Sequence, residues 1–173
     1  MRLLAEIFHN KPLNIRGRAV VREAVRGIFL DSNKVFMLYS GKFDGFTFPG
    51  GGIEPSEEHA NTLIREISEE TGGRVEGEFS PFGKVIEYDF PIEDTFDVFK
   101  ATSYYYWCKI SFDGGTPKME DYEQAWELTP TWVDIKQAIE TNRIAINSPN
   151  KFVPRWVKRD LTVLELIQIT FEE

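Results

Sequence analysis

Apolar and polar residues alternate along the chain with two different spacings, one typical of strands and the other typical of helices. Runs rich in β-branched and aromatic residues predict strands, of which AVVREAVRGIFL (19–30) is the longest. KVFMLYS (34–40) is its predicted hairpin partner across a short turn. The same criterion predicts strands at 83–90, 103–110 and 130–135. Together these segments predict a fold built on a sheet.

Apolar residues at helical spacing follow a segment, 41–52, that is rich in glycine and aromatic residues and is predicted as a loop or short strand. The i, i+3, i+4, i+7 pattern predicts a buried helix face made of Ala60, Leu63, Ile64, Ile67 and Thr71. Ser56, directly after Pro55, is the predicted N-cap. Gly72 and Gly73 are predicted to end this helix.

Two further helices are predicted over KQAIETNRIAI (136–146) and PRWVKRDLTVLELIQI (154–169). A basic cluster is expected on the solvent-exposed side of the second one: Lys151, Arg155, Lys158 and Arg159. Strands and helices are mixed without strict βαβ alternation, so the pattern predicts an α/β or α+β sandwich. The length favours one domain over residues 1–173.

Composition and charge narrow the classes of partner. A net charge of −8 argues against nucleic-acid polymers, because a phosphate backbone is held by lysine and arginine. The single cysteine, Cys108, excludes an internal disulfide and the usual structural zinc sites. The opening MRLLAEIF is too short and too polar for a secretory signal, and no apolar run approaches the ~20 residues that cross a bilayer. We therefore expect no membrane partner and a cytoplasmic location.

Three glutamates crowd the end of the first predicted helix, at Glu66, Glu69 and Glu70. Acidic groups at a helix C-terminus are disfavoured by ~0.3–1 kcal/mol each. Like charges three or four residues apart add ~0.2–0.5 kcal/mol per pair. The three residues fall on one arc beside the apolar stripe. Two interpretations follow, namely a solvated acidic face or a site for a hard divalent cation such as Mg²⁺.

The spacing around these glutamates favours the metal site. Five residues separate Gly51 from Glu57, and seven separate Glu57 from Arg65. The pattern as a whole consists of Gly51, Glu57, Arg65, Glu66, Ile67, Glu69, Glu70 and Gly72. This pattern closely resembles the Nudix box, the signature of the Nudix hydrolase superfamily. One position departs from it, because the final residue of the box is usually aliphatic and is Gly73 here.

The resemblance implies an α/β/α sandwich with a mixed β-sheet and a Mg²⁺ or Mn²⁺ cofactor. It implies hydrolysis of a nucleoside diphosphate linked to another moiety. The residues that it assigns to the metal are Gly50 (through its carbonyl), Glu57, Glu66, Glu69 and Glu70. Glu57 is expected either to bind the metal as an additional ligand or to contact a metal ligand without binding the metal itself. Arg65 is expected to hold a carboxylate in place by ion pairing, with Glu69 one turn on as the geometric partner.

Family members also use a glutamate from a distant loop as a general base or extra ligand. The acidic loop offers Glu120, Glu123 and Glu127, and we favour Glu123 because its distance before WVDI (132–135) resembles that of the loop glutamate in the family. A solvated loop carboxylate is the competing interpretation for each of the three.

Substrate contacts are predicted from residues outside the box. Arg22 and Arg26 lie four residues apart on one strand face, where they either meet substrate phosphates or pair with local acids. Four aromatic residues are candidates for stacking on a base, although rings in strands are more often core: Phe43, Phe46, Phe48 and Tyr88.

Three functions are compatible with the resemblance. The leading hypothesis is a metal-dependent pyrophosphohydrolase. A sensing domain that binds a nucleotide or sugar-nucleotide without cleaving it is the alternative, and the complete set of box glutamates argues against it. An isoprenoid diphosphate isomerase of the same fold needs a well-placed cysteine, and Cys108 lies in a predicted strand among aromatic residues. The oligomeric state stays open, and homodimers are common in the family.

Overall fold

The computed structural model of the protein describes residues 1–149 and 152–172. Within these residues the strands are β1 (Leu3–Phe8), β2 (Ala19–Ile28), β3 (Leu30–Asp31), β4 (Lys34–Ser40), β5 (Gly45–Thr47), β6 (Arg74–Asp89), β7 (Val98–Ser111) and β8 (Leu128–Asp134). The helices are α1 (His59–Thr71), α2 (Asp121–Ala125), α3 (Ile135–Asn147) and α4 (Arg155–Glu172). None of the described helices is long and apolar enough to cross a membrane.

The strands form two sheets. The first has the order β1-β6-β7-β2 and is mixed, because β1 is parallel to β6, β2 is parallel to β7, and β6 and β7 are antiparallel. The second is antiparallel, with β4 between β5 and β8 and with β3 also paired to β4. The predicted mixed α/β architecture is therefore confirmed.

The predicted hairpin between 19–30 and 34–40 is wrong in its pairing. The strand that begins at Ala19 is β2, which ends at Ile28. It pairs along its length with β7, which lies some 80 positions away in the sequence. Only Leu30 and Asp31 pair with β4. Phe29, which is 1% exposed, lies at this change of sheet and packs edge to face on Phe36. One strand-like segment therefore contributes to two sheets, with a buried aromatic residue where it passes from one to the other.

Helices cover the sheets on two sides. On one side, α1 contributes Leu63 and Ile67 to a core with Val25, Phe29 and Phe36. On the other, α3 and α4 supply part of a larger core whose buried members include Ile28, Met37, Tyr105, Ile139, Leu164 and Ile167. Burying one such aliphatic side chain stabilises the fold by about 1.5–3 kcal/mol. The first of these cores holds α1 against the sheets.

The first helix begins later than the sequence predicts. Its N-cap is Glu58, which makes no side-chain cap bond, and Ser56 instead has a positive φ of 69° in the turn before it. The Glu57 amide donates to the Glu54 carbonyl in that turn. The predicted buried face is right for Leu63, Ile67 and Thr71, but Ile64 is 47% exposed. Gly72 ends the helix in the left-handed conformation, as predicted.

Gly73, the departure from the box, lies against Ile110 of β7. A Cβ at position 73 would lie 2.6 Å from Ile110 Cδ1 and 2.9 Å from Thr71 Oγ1. The space next to position 73 is thus filled here by the Ile110 side chain of the neighbouring strand.

We expect Gly73→Val to destabilise the fold by about 1–3 kcal/mol, because it overpacks this contact. Adding Ile110→Val removes the Cδ1 methyl and should return part of the loss. Urea unfolding of both single variants and the double variant measures the coupling. Strictly additive effects would contradict the proposed exchange of volume between the two positions.

The basic cluster predicted on α4 is only partly solvated. Arg155 and Lys158 are exposed, whereas Arg159 is 6% exposed and lies beside Asp160 and Glu87. The expectation for Arg159 is therefore wrong, because its buried acidic partners compensate its charge and helical periodicity does not reveal them. Lys151 lies outside the described residues.

Candidate functional site

Three carboxylates from two distant segments converge beside the glycine-rich loop. Glu66 and Glu70 lie one turn apart on α1, and Glu123 approaches them from α2. Each of the three offers an oxygen within 4.8 Å of the others. Several carboxylate oxygens at this separation suit a hard divalent cation, which takes oxygen ligands and keeps water or phosphate in its open positions.

Two glycines and a capping interaction bring Glu123 to the site. Gly72 and Gly115 pack backbone to backbone, since a Cβ on Gly72 would lie 2.5 Å from the Gly115 carbonyl oxygen. The Lys118 amide donates to the Glu69 carbonyl at 2.6 Å, which ties the loop to the end of α1. Glu123 then accepts from the Glu120 amide at 2.6 Å, and this capping box begins α2. Glu123 ends up 2% exposed.

The other two loop candidates lie elsewhere. Glu120 and Glu127 are exposed and do not belong to the group of three carboxylates formed by the described residues. Of the three acidic residues that the sequence offered, Glu123 is thus the one brought to the site.

The backbone of Gly50 and Gly51 lies directly against these carboxylates. The Gly50 amide donates to Glu70 Oε2 at 2.6 Å. Gly50 has a φ of 128°, and a Cβ there would run into the carbonyl oxygen of Val25. A Cβ on Gly51 would overlap the carboxylate of Glu66. Both positions therefore require glycine if the loop is to approach the carboxylates this closely.

Arg65 organises the acidic residues around the site. Its Nε and Nη2 atoms donate to the two oxygens of Glu57 at 3.0 and 2.9 Å. Its Nη1 atom donates to Glu66 at 2.7 Å and to Glu69 at 3.3 Å. The expected partner Glu69 is present, but the shorter contacts are to the other two. The hydrogen bonds from Arg65 lower the pKa of Glu57 to about 2, so this carboxylate stays charged and committed to Arg65.

Glu57 and Glu69 thus differ in position from the three converging carboxylates. Neither belongs to the group of Glu66, Glu70 and Glu123. Glu57 holds Arg65, which in turn orients Glu66. The side chain of Glu69 is 43% exposed and lies at the open edge of the site.

The site disfavours its own negative charge. Burial raises the pKa of Glu70 well above its usual range, with Arg26 acting in the opposite direction. Burial also raises the pKa of Glu66, and Arg65 opposes that shift. A bound divalent cation offsets both effects, because it replaces the lost solvation of the carboxylates. The donor set therefore fits a metal ion by its chemistry as well as by its spacing.

Arg26 borders the site, and Arg22 lies further out. Arg26 Nη1 donates to the carbonyl oxygens of Gly50 and of Phe48, the latter at 3.4 Å. Arg26 Nε is buried without a hydrogen-bond partner in the described part of the chain. Burial lowers the pKa of this guanidinium, and the charge of Arg159 lowers it further. Arg22 is exposed, with its guanidinium about 3.7 Å from the Cβ position of Gly52.

The aromatic candidates belong to the core. Phe48 is fully buried and packs edge to face on Tyr105, at 5.6 Å between ring centroids. Phe46 is 6% exposed, and Tyr88, at 8%, stacks on Phe8. Phe43 packs against Trp126 and Trp156. The expectation that Phe48 stacks on a base is therefore corrected, because the core covers both of its faces.

Cys108 is half-buried among the residues that pack against α1. Burial raises its pKa to about 12. A thiol with that pKa is almost entirely protonated near neutral pH and is a weak nucleophile. This environment does not favour the isomerase interpretation.

One buried acid near the site was not among the residues predicted from the sequence. Asp160 of α4 is fully buried and binds Thr47 and Phe48, shortly before Gly50. Nothing in the sequence distinguishes it from the other charged residues of this amphipathic helix.

Comparisons with known proteins identify the family and the fold. The family model described as the NUDIX domain matches residues 20–156. The fold is similar to that of a mutator MutT protein from Bacillus halodurans, with 19% identity and a TM-score of 0.51 over 69% of this chain and 72% of that one. It is also similar to that of a MutT NUDIX hydrolase from Burkholderia pseudomallei, with 12% identity and a TM-score of 0.50 over 82% of this chain and 96% of that one. No curated protein matches the sequence.

Proposed function

Since the chain belongs to the NUDIX domain family, we propose that it is a metal-dependent hydrolase of phosphoric anhydride bonds. Its substrate is a nucleoside diphosphate linked to another moiety. The observation that carries the proposal is the convergence of Glu66, Glu70 and Glu123 within 4.8 Å. A solvated acidic helix face would not be expected to draw a buried glutamate from a second segment to the same point.

In this proposal Glu66, Glu70 and Glu123 hold Mg²⁺ or Mn²⁺, with the carbonyl of Gly50 beside them. A bound ion would act as a Lewis acid on the diphosphate and would lower the pKa of bound water. Glu69, at the open edge, is the remaining box carboxylate available to the ion or to water. Arg65 is the positioning residue that orients Glu66, and Glu57 holds Arg65 in turn.

The cations next to the site support a phosphate-bearing substrate. The protein carries a net charge of −8, so an anionic substrate needs a local positive group. Among the described residues, Arg26 Nε is a buried donor without a hydrogen-bond partner next to Glu70 and the Gly50 carbonyl, and it is thus a donor that a phosphate oxygen could use. Arg22 is exposed beside Gly52 and contributes a second cation on the same strand face.

The proposal is tested with a panel of diphosphate compounds incubated with Mg²⁺. The panel contains nucleotide-sugars, dinucleoside polyphosphates, ADP-ribose and oxidised nucleoside triphosphates. We expect the wild type to cleave at least one of them, and the Glu70→Gln variant to lose most of that activity because a buried ligand has lost its charge.

Two outcomes would contradict the proposal. Tight binding of one compound without cleavage of any would replace hydrolysis by the sensing function. Equal cleavage by the wild type and Glu70→Gln would show that the reaction does not depend on this carboxylate group.

A further inference from the structure

Asp160 is the centre of a buried hydrogen-bond network that lies outside the carboxylate group. One carboxylate oxygen accepts from Thr47 Oγ1 at 2.7 Å and from the Phe48 amide at 3.2 Å. The other accepts from the Tyr105 hydroxyl at 2.7 Å. Arg159 donates to both oxygens, at 2.8 and 2.9 Å. The carboxylate is fully buried, so these protein donors replace its solvation.

This network ends at Phe48, two residues before Gly50. Thr47 and Phe48, which Asp160 holds, are followed by Pro49, whose ring fixes its own φ. The Pro49 carbonyl accepts from the Gly27 amide at 2.9 Å. Gly50 follows at once, and its amide donates to Glu70 at 2.6 Å. The path from Asp160 to Glu70 therefore runs through a short, fully hydrogen-bonded stretch of backbone.

The charge of Asp160 is retained despite its burial. Burial alone would raise its pKa, but Arg159, Arg26 and the hydrogen bonds outweigh that effect and hold the pKa below its usual range. A buried ion pair stabilises a fold no better than well-packed apolar residues of similar volume. The directional contacts to Thr47 and Phe48 are what an apolar side chain at this position could not provide.

We propose that Asp160 is a positioning residue for the metal site, which it serves by fixing the backbone at Thr47 and Phe48 so that the Gly50 amide orients Glu70. This inference rests on the proposed function, since it assumes that Glu70 holds a metal ion. It assigns to the C-terminal helix a role in the site that the box residues alone do not supply.

The test measures Mn²⁺ affinity directly by electron paramagnetic resonance, so that it needs no substrate. Asp160→Asn should weaken Mn²⁺ binding by about 10–100-fold, the range for groups that orient metal ligands. The matched control is Glu87→Gln, which disturbs the His9 and Arg159 contacts of the same buried cluster but touches no residue of 47–50. The control should lower the melting temperature while leaving Mn²⁺ affinity within about threefold of the wild type.

A second pair of variants covers the case in which Asp160→Asn does not fold. Thr47→Val keeps the side-chain shape but removes the hydroxyl donor to Asp160, and Thr47→Ser restores that donor. We expect Thr47→Val to weaken Mn²⁺ binding and Thr47→Ser to bind as the wild type does. Wild-type affinity in both Asp160→Asn and Thr47→Val, or in Thr47→Val alone if the first does not fold, would overturn the inference. A wild type that binds no Mn²⁺ would instead overturn the proposed function.

Discussion

The Gly51→Ala substitution should remove most of the affinity of the protein for divalent metal ions while leaving the fold nearly as stable as in the wild type. A Cβ on Gly51 would overlap the carboxylate of Glu66, the end of a flexible side chain that can rotate away. Gly51 is not among the glycines with positive φ, so alanine introduces no backbone strain there. The displaced carboxylate would leave both the contact from Arg65 and its position beside Glu70.

Removing a group that merely orients a metal ligand lowers metal affinity by about 10–100-fold. We expect at least that loss here, because Glu66 itself would move away from the ion. The control is Gly52→Ala, since the nearest atoms to a Cβ there belong to Arg22 at 3.7 Å and make ordinary contact. Calorimetric titration with Mn²⁺ and thermal unfolding of both variants separate binding from stability. Equal Mn²⁺ affinity in the two variants would show that Glu66 does not hold the ion.

The local elements of this fold could be predicted from the sequence because their signals are local. The apolar period of α1 and the glycine that ends it are properties of one short segment, and Gly72 does end the helix. The partner of β2 is not such a property. Its pairing with β7 depends on contacts across the whole chain, and the strand-like sequence 19–30 shows no break at Phe29, where the chain changes sheet.

The acidic residues divide in the same way. The spacing of Glu66 and Glu70 on one helix face is readable from their sequence positions, because helix geometry fixes it. Glu123 was selected among three loop acids by family resemblance, but the reason for its position is the close approach of Gly115 to Gly72. That approach depends on the folded structure and produces no recognisable pattern in the sequence. Asp160 was missed for the same reason, since its partners lie on other elements.

Mg²⁺ or Mn²⁺ should raise the melting temperature of the wild type and should fail to do so when Glu70 is replaced by glutamine. A ligand that binds only the folded state at about 100 times its Kd adds about 2.7 kcal/mol to the free energy of unfolding. For a domain of this size 1 kcal/mol corresponds to about 2–4 °C, so the expected gain is about 5–10 °C. Glu70 is 4% exposed and belongs to the group of three carboxylates.

Without metal, the same variant should be at least as stable as the wild type. Glutamine removes a buried negative charge beside Glu66 and Glu123, and its side-chain oxygen can still accept from the Gly50 amide. Glu69→Gln is the matched control, since Glu69 is 43% exposed and outside the group of three, and it should keep more of the metal-induced gain. Differential scanning fluorimetry with and without Mn²⁺ measures all three proteins. An undiminished gain in Glu70→Gln would mean that the ion binds elsewhere, because a site that includes Glu70 must lose affinity when that ligand becomes neutral.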